Sequence, residues 1–339
     1  MQAIVNSALP WHEGQFRRLV EERDRLPHAL LVHGPQGTGK VAFARALAKS
    51  LLCESHQSDA GCGRCVGCGW FESGTHPDLR MIEPAALADV EQEEQGASKA
   101  STRILIEQIR ALADFVNISS HRGGAKAVVI HPAEALNVNA ANALLKNLEE
   151  PPEGTFFILV AHRIHFLLAT LRSRCRHIAL PTPAPESAVA WLAAQGVREP
   201  ALALAHTGNA PLLAQGLEEQ EYWQQRDAFL AQVAVRRFDP LAAAEQICDY
   251  PLRDVVSWLQ KWTFDLVLQR HLGKVRYNPD RVTAIAALAV QMEPLAMLRF
   301  HRHTLALQGV IDHPLNPRLL VEQLLLDYSR ALTGGTTAS

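Results

Sequence analysis

One run of residues has the composition and spacing for phosphate chemistry: Gly34-Pro35-Gln36-Gly37-Thr38-Gly39-Lys40. The pattern G-x-x-x-x-G-K describes a loop that cradles phosphates. Its glycines let backbone N–H groups turn inward around an anion, and Lys40 would reach the β- and γ-phosphates. The next residue breaks the pattern. A loop that works with Mg²⁺ carries Ser or Thr there, whose hydroxyl is a metal ligand, and this chain carries Val41. Gly34, Gly37, Thr38, Gly39 and Lys40 are therefore the expected anion-binding residues of a degenerate site, with Mg²⁺ short of a ligand and no ATP turnover.

Cys53, Cys62, Cys65 and Cys68 form a second constellation, C-x8-C-x2-C-x2-C. Two overlapping C-x-x-C turns and a fourth thiol can close a tetrahedral site for Zn²⁺. Such a site has no vacancy, so its role would be structural. Gly61, Gly63, Gly67 and Gly69 permit the tight turns. The alternative is four reduced thiols in a loop. His76-Pro77-Asp78 reads as a turn into a strand rather than as a source of a fifth ligand. A third candidate lies in Leu171-Arg172-Ser173-Arg174-Cys175-Arg176, where three arginines alternate and cannot all share one buried face. They make either a solvated basic turn or an arginine offered to a partner's phosphate.

The elements that must position these groups are legible as apolar runs. Residues 29–32, 79–82, 127–130, 156–160 and 177–180 read as strands, and the lack of alternation in the strongest of them marks a parallel sheet covered on both faces. Residues 41–48 read as the helix after the phosphate loop. An active ATPase places an Asp and a Glu after the strand matching 127–130, and here His131 and Pro132 stand there. Glu134 reads as a helix-start carboxylate. Where a polar sensor would follow 156–160, the chain has Ala161-His162-Arg163.

Residues 11–25 read as one amphipathic helix with Phe16, Leu19 and Val20 inward. Trp11 lies either near a nucleotide base or against the core. Ile104, Ile109, Leu112 and Val116 mark another helix face. Helix 138–150 is closed by Pro151-Pro152. Residues 84–101, with Asp89, Glu91, Glu93 and Glu94, read as a solvated loop. Pro181, Pro183 and Pro185 mark a boundary, followed by a small helical unit to 217 and helices thereafter. Leu252, Val255, Leu259, Trp262, Leu266 and Val267 form one apolar stripe. Asn316-Pro317 opens a last helix with an N-cap and a proline at its first position.

Composition bounds the function classes. With 339 residues, 48% hydrophobic and 20% charged, the chain is globular and long enough for two or three domains. A net charge of −2 gives no overall attraction to nucleic acid. Met1-Gln2-Ala3-Ile4-Val5-Asn6 does not read as a signal peptide, and no run has the length of a membrane span. Six cysteines in such a chain point to metal before disulfides.

Taken together, these residues resemble the delta-prime family of bacterial DNA polymerase III clamp-loader subunits, which are AAA+ proteins. The resemblance runs along nearly the whole chain. It is carried by the phosphate loop, the four cysteines, His76-Pro77-Asp78, the segment from Asn139 to Pro152 (NAANALLKNLEEPP), and Ser173-Arg174-Cys175. Lys40-Val41, His131-Pro132 and the lack of an arginine near Gly208-Asn209-Ala210-Pro211 set the chain apart from the family's ATPase paralogue, the gamma/tau subunit. The resemblance implies an α/β fold: an AAA+ P-loop domain at 1–180 with the zinc module at 53–68 inserted, a helical lid at 181–217, a helical collar at 218–332 and a disordered tail at 333–339.

It also implies a largely non-hydrolysing stator in a hetero-oligomer with gamma/tau and delta subunits, which loads a sliding clamp onto primed DNA. Arg174 would act in trans as an arginine finger on a γ-phosphate held by gamma/tau. The chain would belong to a polymerase holoenzyme without polymerase or ATPase activity of its own. Its place would be the bacterial cytoplasm, in a nucleoid-associated replisome. Two other classes stay open: an active gamma/tau-type ATPase, and a zinc-containing nucleic-acid binder with a vestigial P-loop.

Overall fold

A strand covered on both faces must be apolar at every position, and the central strands here are. In the computed structural model, residues 8–55, 61–88, 101–121, 124–217, 220–307 and 316–333 are described. They fall into two compact units, residues 1–184 and 185–339.

The first unit holds the sheet. Its strands are Ala29–His33 (β1), Leu79–Ile82 (β2), Lys126–Ile130 (β3), Thr155–Ala161 (β4) and Arg176–Ala179 (β5). They run in the order β2-β3-β4-β1-β5, each parallel to its neighbours. Alternate side chains feed two cores. Leu31, Val128, Ile130 and Leu159 pack with one set of helices, and Leu30, Val32, Val129 and Ile158 with another. The helices are Glu13–Glu21 (α1), Lys40–Leu52 (α2), Val66–Glu72 (α3), Ala85–Ala88 (α4), Ile106–Asn117 (α5), Val138–Glu149 (α6) and Ala169–Arg172 (α7). Phe16 of α1 and Phe43 of α2 meet edge-to-face at 5.6 Å on one side, while α5 and α6 cover the other. The expected α/β class with a parallel P-loop sheet is what the chain forms.

The helix expected over 11–25 is shorter. A 3₁₀ turn at Pro10–His12 precedes α1, and a second at Arg23–Arg25 follows it. The break has a cause in Arg23, whose guanidinium donates to the carbonyls of Ser50 (2.9 Å) and Leu51 (2.7 Å). These carbonyls lie in the last turn of α2, where a cation is favoured.

The second unit is helical: Pro185–Ala194 (α8), Pro200–His206 (α9), Pro211–Gln215 (α10), Gln220–Val233 (α11), Pro240–Gln246 (α12), Leu252–Leu272 (α13), Val282–Gln291 (α14), Pro294–Ala306 (α15) and Pro317–Thr333 (α16). A small core of Ala188, Leu192, Ala203, Leu204 and Ala214 joins α8, α9 and α10. A larger one centres on α13. The predicted stripe faces it, but Val256 and Trp258 are buried as well, because α11, α14, α15 and α16 pack around α13 on several sides. The indole N–H of Trp262 donates to the Tyr328 hydroxyl at 2.7 Å, which donates to the Val233 carbonyl at 2.9 Å. Asn316 caps α16, accepting from Arg318 N–H at 3.1 Å.

Thr333, expected in the tail, is the last residue of α16. Asp89, Glu91, Glu93, Glu94 and residues 334–339 lie outside the described residues. No helix among the described residues is long and apolar enough to cross a membrane.

Candidate functional site

The phosphate loop is built where β1 ends and α2 begins. Gly34 has φ +152°, and a Cβ on it would lie 2.0 Å from the Leu180 carbonyl oxygen, so only glycine passes here. Gly39 has φ +98°, with Leu9 packed where a Cβ would stand. Thr38 and Lys40 are buried. The Thr38 carbonyl accepts from Trp11 Nε1 at 3.0 Å and from His12 Nε2 at 2.9 Å. Trp11 thus binds the loop backbone, which neither reading of it from the sequence anticipated. His12 and Leu9 were missed altogether, since nothing in their local pattern marks a contact some 26 residues away.

Lys40 Nζ donates to the Pro35 carbonyl, which also accepts from Thr38 Oγ1 at 3.0 Å. Burial pulls the Lys40 ammonium down to about 8, outweighing its attraction to Glu134. The loop therefore keeps its shape and its cation. Among the described residues, the positions that carry Mg²⁺ and water-activating groups in an active P-loop site are filled differently. Val41 supplies no oxygen. His131 and Pro132 follow β3, and Glu134 lies in the 3₁₀ turn Ala133–Ala135 rather than at a helix start. The N-cap of α6 is Asn137, which accepts from Ala140 N–H at 2.8 Å.

The Glu134 carboxylate is already engaged. It accepts from the backbone N–H of His162 at 2.9 and 3.2 Å and from that of Arg163 at 3.1 Å. It pins the turn after β4 instead of activating water. At the same place His131 Nε2 and His162 Nε2 approach to 3.1 Å. His131 Nδ1 lies 3.5 Å from Glu83 Oε1. Burial, then the charge of Lys40, brings the His162 imidazole down to about 4.

The three arginines go three ways. Arg174 pairs with Glu149 at the end of α6 and donates to the Thr170 carbonyl at 3.1 Å. It has no carboxylate near it in sequence, but the fold brings one from 25 residues away. Arg176 pairs with Glu22 at 2.7 Å. Arg172 is half-buried, with its Nε out of solvent and without a hydrogen-bond partner.

The four cysteines converge. Their sulfurs all lie within 4.8 Å of one another, and Cys53 Sγ and Cys65 Sγ are 3.9 Å apart. Metal–sulfur bonds of about 2.3 Å put tetrahedral sulfurs about 3.8 Å apart. The backbone N–H groups of Cys62, Cys65 and Cys68 donate to Cys53, Cys62 and Cys65 sulfurs at 3.2, 3.3 and 3.3 Å. The residues fit a metal ion. The module is fixed to α2: a Cβ on Gly67 would come within 2.8 Å of the Leu52 carbonyl, and Lys49 pairs with Glu72 of α3 at 2.5 Å. His76 is no part of the cluster; its Nδ1 accepts from Asp78 N–H at 3.1 Å.

Residues 13–184 match the profile of the family described as "DNA polymerase III, delta subunit", and residues 220–330 match "DNA polymerase III, delta subunit, C terminal". A Pseudomonas aeruginosa protein named DNA polymerase III subunit delta' is 37% identical over 276 residues, which is 79% of this chain and 77% of that one. Relatives of the same name from Yersinia pestis and Escherichia coli are 34% and 32% identical, each covering 96% of this chain and 97% and 96% of their own. The chain belongs to the DNA polymerase III delta-prime family. Among solved structures, a gamma subunit-related protein of DNA polymerase III from Thermotoga maritima aligns over 94% of this chain and 99% of its own, at 18% identity and a TM-score of 0.40. Within the family, this member has its phosphate loop intact in outline, a histidine pair beside it, and an exposed arginine held by Glu149.

Proposed function

We propose that this chain is the non-hydrolysing delta-prime stator of a DNA polymerase III clamp loader, assembled with gamma/tau and delta subunits. In that complex it helps place a sliding clamp on primed DNA. The observation that carries the reading is the site around Lys40. A well-formed phosphate loop stands beside Val41, a histidine pair and a glutamate committed to backbone N–H groups. Phosphoryl transfer depends on metal ions and a positioned water, and neither has a protein group here. The shape is kept because it braces the fold. In this reading residues 181–217 form the lid and 218–332 the collar that holds neighbours, and the protein works in the bacterial cytoplasm at the replisome. The four cysteines would hold one structural Zn²⁺, whose chemistry is to cross-link the loop through four thiolates.

Arg174 is the proposed catalytic contribution. As a finger on a γ-phosphate held by gamma/tau, its fork would match phosphate oxygens in a way lysine does not. It would have to exchange Glu149 for phosphate, an exchange between charge-assisted partners. The test is reconstitution: the purified chain is mixed with gamma/tau and delta subunits, and complex formation and DNA-stimulated ATPase are measured. The chain alone should turn over no ATP, and the assembled loader should need it. Turnover by the chain alone that disappears in Lys40→Ala would instead identify an active ATPase.

A further inference from the structure

We propose that Glu149 is a positioning residue for Arg174: it parks the guanidinium while the neighbouring nucleotide site is empty and yields it when a γ-phosphate arrives. This rests on the reading of Arg174 as a finger in trans, and it gives that site its regulation. Glu149 and the phosphate compete for one side chain.

The resting contact is built from two elements. Arg174 stands in the turn after α7, where its N–H donates to the Leu171 carbonyl at 3.2 Å and the Cys175 N–H to the Arg172 carbonyl at 3.3 Å. The backbone is held, so an exchange of partners needs only the side chain to turn. Nη2 pairs with Glu149 Oε1, and Nη1 donates to the Thr170 carbonyl at 3.1 Å. The pair is open to solvent, with side-chain exposures of 36% for Arg174 and 47% for Glu149. A phosphate can therefore reach the guanidinium without displacing a buried group.

Glu149 stands where a carboxylate is disfavoured. It is the last residue of α6, and Glu150 follows it. The C-terminal end of a helix carries partial negative charge and favours cations. Lys146 in the same turn offsets part of this, and Arg174 is the cation that meets Glu149 directly. When Arg174 turns to a phosphate, Glu149 is left beside Glu150 and the helix end. That cost draws the guanidinium back once the phosphate has gone.

Charge decides the exchange. A terminal phosphate carries more negative charge and more acceptor oxygens than a carboxylate, so it displaces Glu149. Rotation of an exposed side chain takes picoseconds to nanoseconds, so the exchange does not limit turnover. The carboxylate does lower the apparent affinity for the phosphate, because only the unparked fraction of Arg174 is competent to bind it. For a solvent-exposed ion pair the factor is at most about fivefold. Arg176 supplies the comparison: its pair with Glu22 has similar exposures, 41% and 49%.

The experiment uses the reconstituted loader and reads binding of a non-hydrolysable ATP analogue beside DNA-stimulated turnover. The site concerned is the one that Arg174→Ala weakens. Glu149→Gln should tighten the analogue there by about two- to fivefold and leave kcat unchanged, since Arg174 is already on the phosphate at saturating ATP. Glu22→Gln should change neither. In the double variant Arg174→Ala/Glu149→Gln the gain should vanish, which it would not do if Glu149 acted on the fold alone. In the free chain, phenylglyoxal should modify Arg174 faster in Glu149→Gln than in wild type, read by peptide mass spectrometry. Full turnover and unweakened analogue binding in Arg174→Ala would remove the trans role, and the parking role with it. Weakened binding in Arg174→Ala together with unchanged or weaker binding in Glu149→Gln would overturn the parking role alone. So would a gain that survives in the double variant, or an Arg174 modification rate that Glu149→Gln does not raise.

Discussion

Replacing Lys40 by methionine should make the isolated chain more stable, although it removes the residue that gives the loop its cation. The Lys40 side chain is buried and its ammonium is pulled down from 10.5 to about 8 by burial. A tenfold loss of proton affinity corresponds to about 1.4 kcal/mol, so holding the charge costs the folded state about 3 kcal/mol. The bond to the Pro35 carbonyl returns about 1 kcal/mol in the usual net sense. Methionine keeps most of the apolar stem, so Lys40→Met should gain about 2 kcal/mol at pH 7. The pH dependence distinguishes this cause from better packing. Below about 8 both folded and unfolded states carry the proton and the folded state bears the full cost. Between about 8 and 10.5 the unfolded state alone binds it, so wild-type stability rises with pH. The advantage of the variant should shrink by about 2 kcal/mol between pH 7 and pH 9.5. Lys261, also brought down to about 8 by burial, is common to both proteins and cancels in the difference. Urea unfolding followed by circular dichroism at the two pH values measures it. A variant less stable than wild type at pH 7, or an advantage independent of pH, would refute the reasoning.

Arg174→Ala should cost the fold about 0–1 kcal/mol, because its ion pair with Glu149 is solvent-exposed, yet lower DNA-stimulated ATPase in the reconstituted loader. Arg176→Ala is the clean control, whereas Arg172→Ala changes a half-buried side chain and is not. Full ATPase in a folded Arg174→Ala complex would remove the trans role. Cys65→Ser should abolish binding of one metal ion and destabilise the 53–68 module, checked by metal analysis and protease sensitivity. Gly39→Ala should cost about 1–3 kcal/mol, from the left-handed φ of +98° and the displaced Leu9 side chain, checked by thermal unfolding.

What could be read from the sequence was whatever one segment specifies by itself. Phe157, Ile158, Leu159 and Val160 must be a doubly covered strand because no polar residue interrupts them. The cysteine spacing brings its own sulfurs together. What escaped depends on partners far along the chain. Glu149 neutralises Arg174 only once α6 is folded against the turn after α7. Glu134 looked like a helix-start carboxylate because its real partners, the N–H groups of His162 and Arg163, belong to another strand end. The helix over 11–25 was read too long because the carbonyls that draw Arg23 away lie at the far end of α2.

The hydrogen bonds from Trp11 and His12 to the Thr38 carbonyl have a consequence for information flow. A subunit that reports on nucleotide needs a loop whose backbone can answer when a phosphate arrives. Here the Thr38 carbonyl is tied from outside by two aromatic side chains, and the Pro35 carbonyl from inside by Lys40 and Thr38. Any rearrangement of the loop must break a buried bond before making a new one. Such a loop starts from a backbone already tied in place, and a change of its shape carries the loss of these bonds as a cost. In the proposed loader, subunits that change shape with each cycle gain in this chain a fixed reference against which their motion is measured.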